Sequence, residues 1–413
     1  MLAGRLPRPR WPGRPVRAVA AVAAVAAVAA VAAVPAAGRA IAAAAQAASA
    51  QRVSYRGYSF EVPRSWPVID VARHDRTCVR FDLHAVYLGS PARDQVCPSS
   101  LVGATEALLI EPAPRSSVVL SVENPVARQI RVIAPQIKIT ATFDGKPGLI
   151  CQILASASLP APVPYVPDPD DAARSPAASA AAPPFAAEVT DYHGLGFDAC
   201  TAPDTAYMSA WRRASPYRAI GVYLGGSDMA CAQPNLTRRW LSREAAAGWH
   251  FIPLYVGPQA EFHQLGRHPG HQGRAAADDA VTQAERLGFA ARTPLYYDME
   301  AYSPAQTRKA LRFLSSWTSR LHVLGYSSGV YSSSSAGIAD LARRYLGRKY
   351  AMPDIIYDAL WNGQRNTTDA VLRSGEWADH RRVHQYDGNV TQTYGGDTIN
   401  VDQDYLNVSL PAR

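Results

Sequence analysis

The sequence predicts an α/β protein with a (β/α)8 TIM-like barrel, irregular at its C-terminal end, preceded by a small β-rich domain. Three observations predict it. From about His193 onward, short apolar runs alternate with amphipathic segments of roughly 10 to 20 residues, the rhythm of strands and helices wound into a parallel sheet. About eight such strands fall within some 220 residues, which suits a closed barrel better than an open sheet. No GxGxxG follows the first strand, so a doubly wound nucleotide-binding fold stands only as the structural alternative.

The chain has 413 residues, is 48% hydrophobic and 9% aromatic, and is long enough for two folded units with large cores. Its net charge of +8 is concentrated at the start: Arg5, Arg8, Arg10, Arg14, Arg17 and Arg39 fall in residues 1–50, which hold no acid, leaving about +2 beyond them. A nucleic-acid binder concentrates its basic residues in a patch or motif, and neither is present. The same stretch carries the run AVAAVAAVAAVAAVAAV from Ala18 to Val34 and small-residue sites such as Ala48-Ser49-Ala50. Residues 1–50 therefore read as a signal peptide, with an uncleaved membrane anchor as the alternative. The expected location is secreted or envelope-associated.

Residues 51–155 show short alternating strands, Tyr58–Val62, Cys78–Phe81 and Gln136–Phe143, between Pro and Gly punctuation. This predicts a small β-rich or α+β domain with no chemical motif of its own. Residues 156–192 are rich in Pro, Ala and Asp without a hydrophobic period, as in an extended linker. In an exported chain the cysteines are expected to pair, Cys78 with Cys97 and Cys200 with Cys231, leaving Cys151 over, although other pairings within the first region stay open.

Residues 193–413 carry the alternation. Strands are predicted over Gly194–Asp198, Ala219–Leu224, His250–Val256, Pro294–Asp298, Gly329–Ser332, Asp354–Tyr357, Val383–Tyr386 and Ile399–Val401. Helices are predicted over Thr201–Ala214, from an Asn235 cap to Gly248, over Ala275–Leu287, from Ser303 to about Leu324, and over Ala336–Leu346.

The working face of such a barrel lies at the C-terminal ends of the strands, and acids and aromatics gather there. Asp198 ends the first strand, Asp298 and Glu300 end the fourth in LYYDMEAYS, and Asp402 ends the last. Tyr223, Tyr255, Tyr297, Tyr331, Trp361, Gln385 and Tyr386 fall at or near strand ends and are the candidate substrate-binding residues. Side chains two apart on a strand share a face, so Asp298 and Glu300 point the same way, about 7 Å apart along the strand. Two carboxyls facing one pocket repel, which encourages one to hold a proton near neutral pH. Glycosidic cleavage needs that arrangement: a protonated acid for the leaving oxygen and an ionised group to stabilise positive charge at the anomeric carbon.

Taken in order, GFDAC, IGVYLGG with a following cysteine, YVGPQ, YYDME and the closing HQYDGN to VDQDY resemble the glycoside-hydrolase-like domain of unknown function found in secreted actinobacterial proteins. That domain is itself similar to the glycoside hydrolase family 25 lysozymes. The resemblance spans Gly194 to Leu406, about half of the chain. It implies a muramidase-like hydrolase of cell-wall glycan in which Glu300 is the acid/base, Asp298 the assisting carboxylate, and Asp198 and Asp402 electrostatic and positioning residues. The loops around Trp361-Asn362-Gly363 and Asp387-Gly388-Asn389 depart from the lysozymes, so a glycan-binding envelope protein that keeps the cleft without cutting is the second expectation. The expected partner is peptidoglycan or another envelope glycan, and the expected state a monomer.

Nothing in the pattern calls for a cofactor. His263, His268 and His271 lie in a Gly/Pro-containing loop without nearby acids or cysteines, more like solvent-presented histidines than a metal site. The serines at 327, 328 and 332–335 form a serine-rich strand and turn and are not read as a serine-hydrolase nucleophile. The Asn-x-Ser/Thr sites at Asn235, Asn366, Asn389 and Asn407 are expected to be incidental in a bacterial chain.

Overall fold

In a computed structural model, residues 49–73, 76–115, 117–164 and 191–409 are described. Nearly all of the expected signal peptide, and most of the expected linker, lie outside these residues. Among the described residues no helix is long and apolar enough to cross a membrane.

The first region opens with a hairpin, β1 (Ala50–Tyr55) against β2 (Tyr58–Pro63). A seven-stranded mixed sheet follows, formed by β3 (Val68–Asp70), β4 (Val86–Leu88), β5 (Ala107–Pro112), β6 (Leu120–Asn124), β7 (Gln129–Ala134), β8 (Ile137–Thr142) and β9 (Val163–Pro164). Their order across the sheet is β3-β4-β5-β8-β7-β6-β9. Helix α1 (Gly148–Ser156) buries Ile150, Ile153 and Leu154 against the hairpin and sheet, in a core with Phe60, Trp66 and Phe143.

The expected strand at Cys78–Phe81 is not a ladder strand. It is a short segment that bonds to the second region instead: Phe81 N–H donates to Ala230 O at 2.7 Å and Ala232 N–H to Val79 O at 3.1 Å. Disulfides Cys78–Cys97 and Cys200–Cys231 flank this junction, and the sulfurs of Cys78, Cys97 and Cys231 lie within 4.8 Å of one another. Each region has its own core, and both fall within one compact unit that starts at Ala50.

The second region is a closed barrel of eight strands: β10 (Tyr192–Asp198), β11 (Ala219–Gly225), β12 (His250–Tyr255), β13 (Pro294–Asp298), β14 (Ser327–Ser333), β15 (Ile355–Ala359), β16 (Arg381–Tyr394) and β17 (Asp397–Val408). β10 to β16 pair in parallel. β17 runs antiparallel to both β16 and β10 and closes the ring. The expected irregularity at the C-terminal end is therefore a long hairpin in place of a last βα unit.

Helices α2 (Thr205–Ala214), α3 (Arg238–Ala246), α4 (Pro269–Leu287), α5 (Thr307–Val323) and the short α6 (Ala339–Ala342) join the strands. Asp204 caps α2 by accepting from Ala206 N and Tyr207 N. α3 is capped by Thr237 rather than by Asn235. The Asn235 amide is drawn away by carbonyls, donating to Arg93 O at 2.6 Å and Ala202 O at 2.9 Å.

Strand alternation divides the barrel's apolar residues into two layers. Tyr223, Ile252, Leu254, Tyr296, Ile355, Tyr357, Val383 and Leu406 fill the interior. Phe197, Tyr255 and Tyr297 turn outward to meet Trp211, Trp249, Phe313 and Trp317.

Where α4 and α5 touch, a Cβ on Gly273 would stand 2.3 Å from Phe313 O, a backbone atom that cannot yield. Gly273→Ala is expected to lower unfolding free energy by about 1–3 kcal/mol in denaturant titrations. Gly375→Ala, which has open space around it, is the matched control and should stay within about 0.5 kcal/mol.

Candidate active site

The mouth of the barrel is organised by the pairing of β10 with β17, in which Asp198 stands opposite Asp402 and Gly196 opposite Asp404. Because β17 is antiparallel, Asp402 lies within its strand rather than at its end, yet it reaches the same rim as Asp198. Two residues along, Asp404 shares its face. Asp198, Asp402 and Asp404 are each at most 1% exposed.

Donors converge on Asp198. Tyr223 Oη donates to its Oδ1 at 3.1 Å, Gln385 Nε2 donates to Oδ2 at 3.0 Å, and Tyr357 Oη lies 2.7 Å from Oδ2. Gln385 is held in this orientation because its Oε1 accepts from Tyr331 Oη at 3.1 Å and Trp361 Nε1 at 2.9 Å. Burial pushes the Asp198 carboxyl up to about 7, helped by the charge of Asp402 and opposed by its three donors.

Asp298 is buried, while Glu300 is only half-buried by surface area. Their carboxyls interact directly. Burial first, then the charges of Glu300 and Asp198, hold Asp298 far above the usual carboxylate range. Burial also raises Glu300, with the contact to Asp298 opposing. The strand end that carries them is pinned by Gln259 of the YVGPQ segment: its Nε2 donates to Asp298 O at 2.8 Å and its Oε1 accepts from Glu300 N at 2.9 Å.

Asp402 Oδ1 accepts from Asn389 N–H at 2.6 Å. Burial raises Asp402, while the hydroxyls of Ser99 and Ser100 and the Asn389 amide favour its charged form. Oδ2 nevertheless lacks a partner in full hydrogen-bond geometry. Ser99 and Ser100 belong to the first region, which crosses the mouth here. Ser99 N–H donates to Asn400 Oδ1 at 2.6 Å, Gly103 N–H donates to Asp228 O at 2.8 Å, and Val102 packs on the barrel's interior layer.

The structure thus brings Asp198, Asp298, Glu300, Asp402, Tyr223, Tyr331 and Gln385 to one place. Trp361 belongs to its rim: the indole lies on Gly388, where a Cβ would meet the ring at 2.0 Å, and the side chain stays 58% exposed. Three expected sugar contacts face elsewhere, because their neighbours in the alternation face in. Tyr255 donates to Asp279 Oδ2 of α4 at 2.8 Å, and Tyr297 donates to Pro258 O at 2.9 Å in the outer core. Tyr386 is buried beside Tyr217, with Arg365 over its ring.

Sequence reasoning missed Tyr357, Asp404, Gln259, Asn389, Ser99 and Ser100. The two-residue spacing in VDQDY could have revealed Asp404; nothing local signals the serines, which are remote along the chain. Among the described residues, the only group of three or more potential metal ligands within 4.8 Å is Cys78, Cys97 and Cys231, all in disulfides. His263, His268 and His271 form no such group.

A buried acid with a raised folded-state pKa binds its proton more tightly folded than unfolded. Its contribution is therefore present at low pH and is lost as pH rises from the unfolded value, about 4, through the folded one. Asp298→Asn does not titrate, so its melting temperature relative to wild type should climb by at least about 2 °C between pH 5 and pH 8 in scanning calorimetry.

Residues 209–406 match the family model described as Rv2525c-like, glycoside hydrolase-like domain. The match begins inside α2, so β10 and Asp198 precede it. Among solved structures, an uncharacterized B. stearothermophilus protein is similar at 19% identity and TM-score 0.39, over 51% of this chain and 95% of that one. The modular autolysin LytC from Streptococcus pneumoniae is similar at 11% identity and TM-score 0.34, over 70% and 58% of the two chains. GHIP, described as a glycosyl hydrolase 25 of the same organism, is similar at 9% identity and TM-score 0.31, over 48% and 79%. No curated protein matches the chain. Over residues 209–406 the barrel is therefore similar to the Rv2525c-like, glycoside hydrolase-like domain.

Proposed function

We propose that the protein is a glycoside hydrolase of cell-envelope glycan, muramidase-like in its chemistry. The observation that carries this reading is a carboxyl pair in direct contact, buried Asp298 and half-buried Glu300, in the same mouth as Asp198, a carboxyl surrounded by donors. Glu300 is the more open member of the pair and is the group to meet substrate. Burial raises its carboxyl above the ordinary glutamate range, the direction a general acid needs.

In this mechanism Glu300 gives its proton to the glycosidic oxygen as the bond to the anomeric carbon breaks. The leaving sugar departs as an alcohol, and positive charge at the anomeric carbon is stabilised by ionised Asp198. A water then adds to that carbon and returns a proton to Glu300. Asp298 assists by sharing a proton with Glu300, and Asp402 contributes to the field of the cleft. Tyr223, Tyr331, Gln385 and the exposed face of Trp361 are placed to contact sugar. Two disulfides support a location in an oxidising compartment outside the cytoplasm.

A second reading, glycan recognition without cleavage, is favoured by one observation. The Ser99–Val102 segment crosses the mouth, and Asp198, Asp298 and Asp402 are at most 2% exposed.

Glu300→Gln separates the two readings in a reducing-end assay on peptidoglycan. The hydrolase reading expects release by wild type and a loss of about 10²- to 10⁴-fold in the variant, with glycan binding retained. If wild type releases nothing while both proteins bind glycan equally, recognition is the function.

A further inference from the structure

The hydroxyl of Tyr357 lies 2.7 Å from Asp198 Oδ2 and 2.6 Å from Asp404 Oδ1. One phenol proton cannot serve two carboxylates, so one of these acids must itself donate to the phenol oxygen. The other partners decide which. Both oxygens of Asp198 already hold donors, from Tyr223 and from Gln385. The Gln385 amide cannot reverse, since its oxygen is engaged by Tyr331 and Trp361. Asp404 has Tyr357 alone. It is fully buried, and its Oδ2 has no partner. An unmet carbonyl oxygen costs far less than an unmet buried charge.

We propose that Asp404 is the protonated member of this relay and acts as a positioning residue: its proton bonds to Tyr357 Oη, which commits the Tyr357 hydroxyl to Asp198 and makes Asp198 the ionised acid of the mouth. The proton is shared rather than transferred, and no bond order changes. Asp198, Asp402, Tyr357 and Tyr386 face Asp404 electrostatically; Asp402, Asp298, Tyr223, Tyr357 and Gln385 face Asp198. Burial and the charges of Asp198 and Asp402 raise Asp404 well above the carboxylate range. Each donor in the chain is polarised by the one behind it, so Asp404 strengthens the Tyr357 bond to Asp198 without touching substrate. Its effect on cleavage rests on the hydrolase reading; its protonation does not.

The test uses the full chain labelled with carbon-13 at its aspartate carboxyls, titrated by NMR, with Asp404→Asn to assign the signal. Asp404 is expected to keep its protonated shift at pH values where Asp198 has already ionised. Ionisation of Asp404 at or below the pH of Asp198 overturns the proposal. In the pH profile of kcat/KM on peptidoglycan, Asp404→Ala should move the acid limb up by about one unit, tenfold in the ionisation constant. Asp404→Asn, whose amide can donate as the acid does, should restore it. An Asn variant displaced as far as the Ala variant also overturns the proposal. If wild type releases no reducing ends, the hydrolase reading fails by itself and the titration still decides the relay.

Discussion

The antiparallel pairing of β10 with β17 is the constraint on which the mouth depends. It places Asp198 opposite Asp402 and brings Asp404 into reach of Tyr357 on β15. A parallel last strand would have offered its acids only at its far end. Instead one strand delivers two carboxyls at different depths, and the surrounding tyrosines and Gln385 point their donors toward a third. Burying several acids together is unfavourable unless most of them are neutral. The donor network favours a charge on Asp198 while burial raises the pKa of its neighbours, and a division of labour between acid and anion is what glycosidic cleavage uses.

The first region contributes to the same site. Its Cys78–Cys97 loop is stitched to the barrel by backbone bonds and lies beside the Cys200–Cys231 bridge. The following segment carries Ser99 and Ser100 to Asp402 and Val102 onto the interior layer. What reads as a separate accessory domain therefore forms part of the cleft's wall. The acids of the mouth are dry, and that burial lifts their carboxyls above ordinary values.

Much of the barrel was legible in the sequence because alternation of apolar runs with amphipathic segments is local. Pro294–Asp298 appears as predicted, and the other barrel strands overlap their expected ranges. The direction of β17 was not legible, since VDQDY reads alike in either direction. The gathering of Asp198, Asp298, Glu300 and Asp402 followed from strand ends. Tyr255 and Tyr297 illustrate what proximity to a strand end omits: one step along a strand reverses the side chain, and Tyr297 turns outward beside an inward Asp298. Asn235 looked like a cap, but tertiary carbonyls outcompeted the helix for its amide. Ser99 and Ser100 could not be found, because their role depends on packing between segments some 300 residues apart.

The most direct test of the central claim is a crystal structure of the Glu300→Gln protein with an oligomeric peptidoglycan fragment. The account expects the scissile oxygen within about 3.2 Å of the side chain at position 300, the anomeric carbon over Asp198, and sugar contacts to Trp361 and the Ser99–Ser100 segment. A fragment bound away from these carboxyls, with the mouth still closed by Val102, would contradict it.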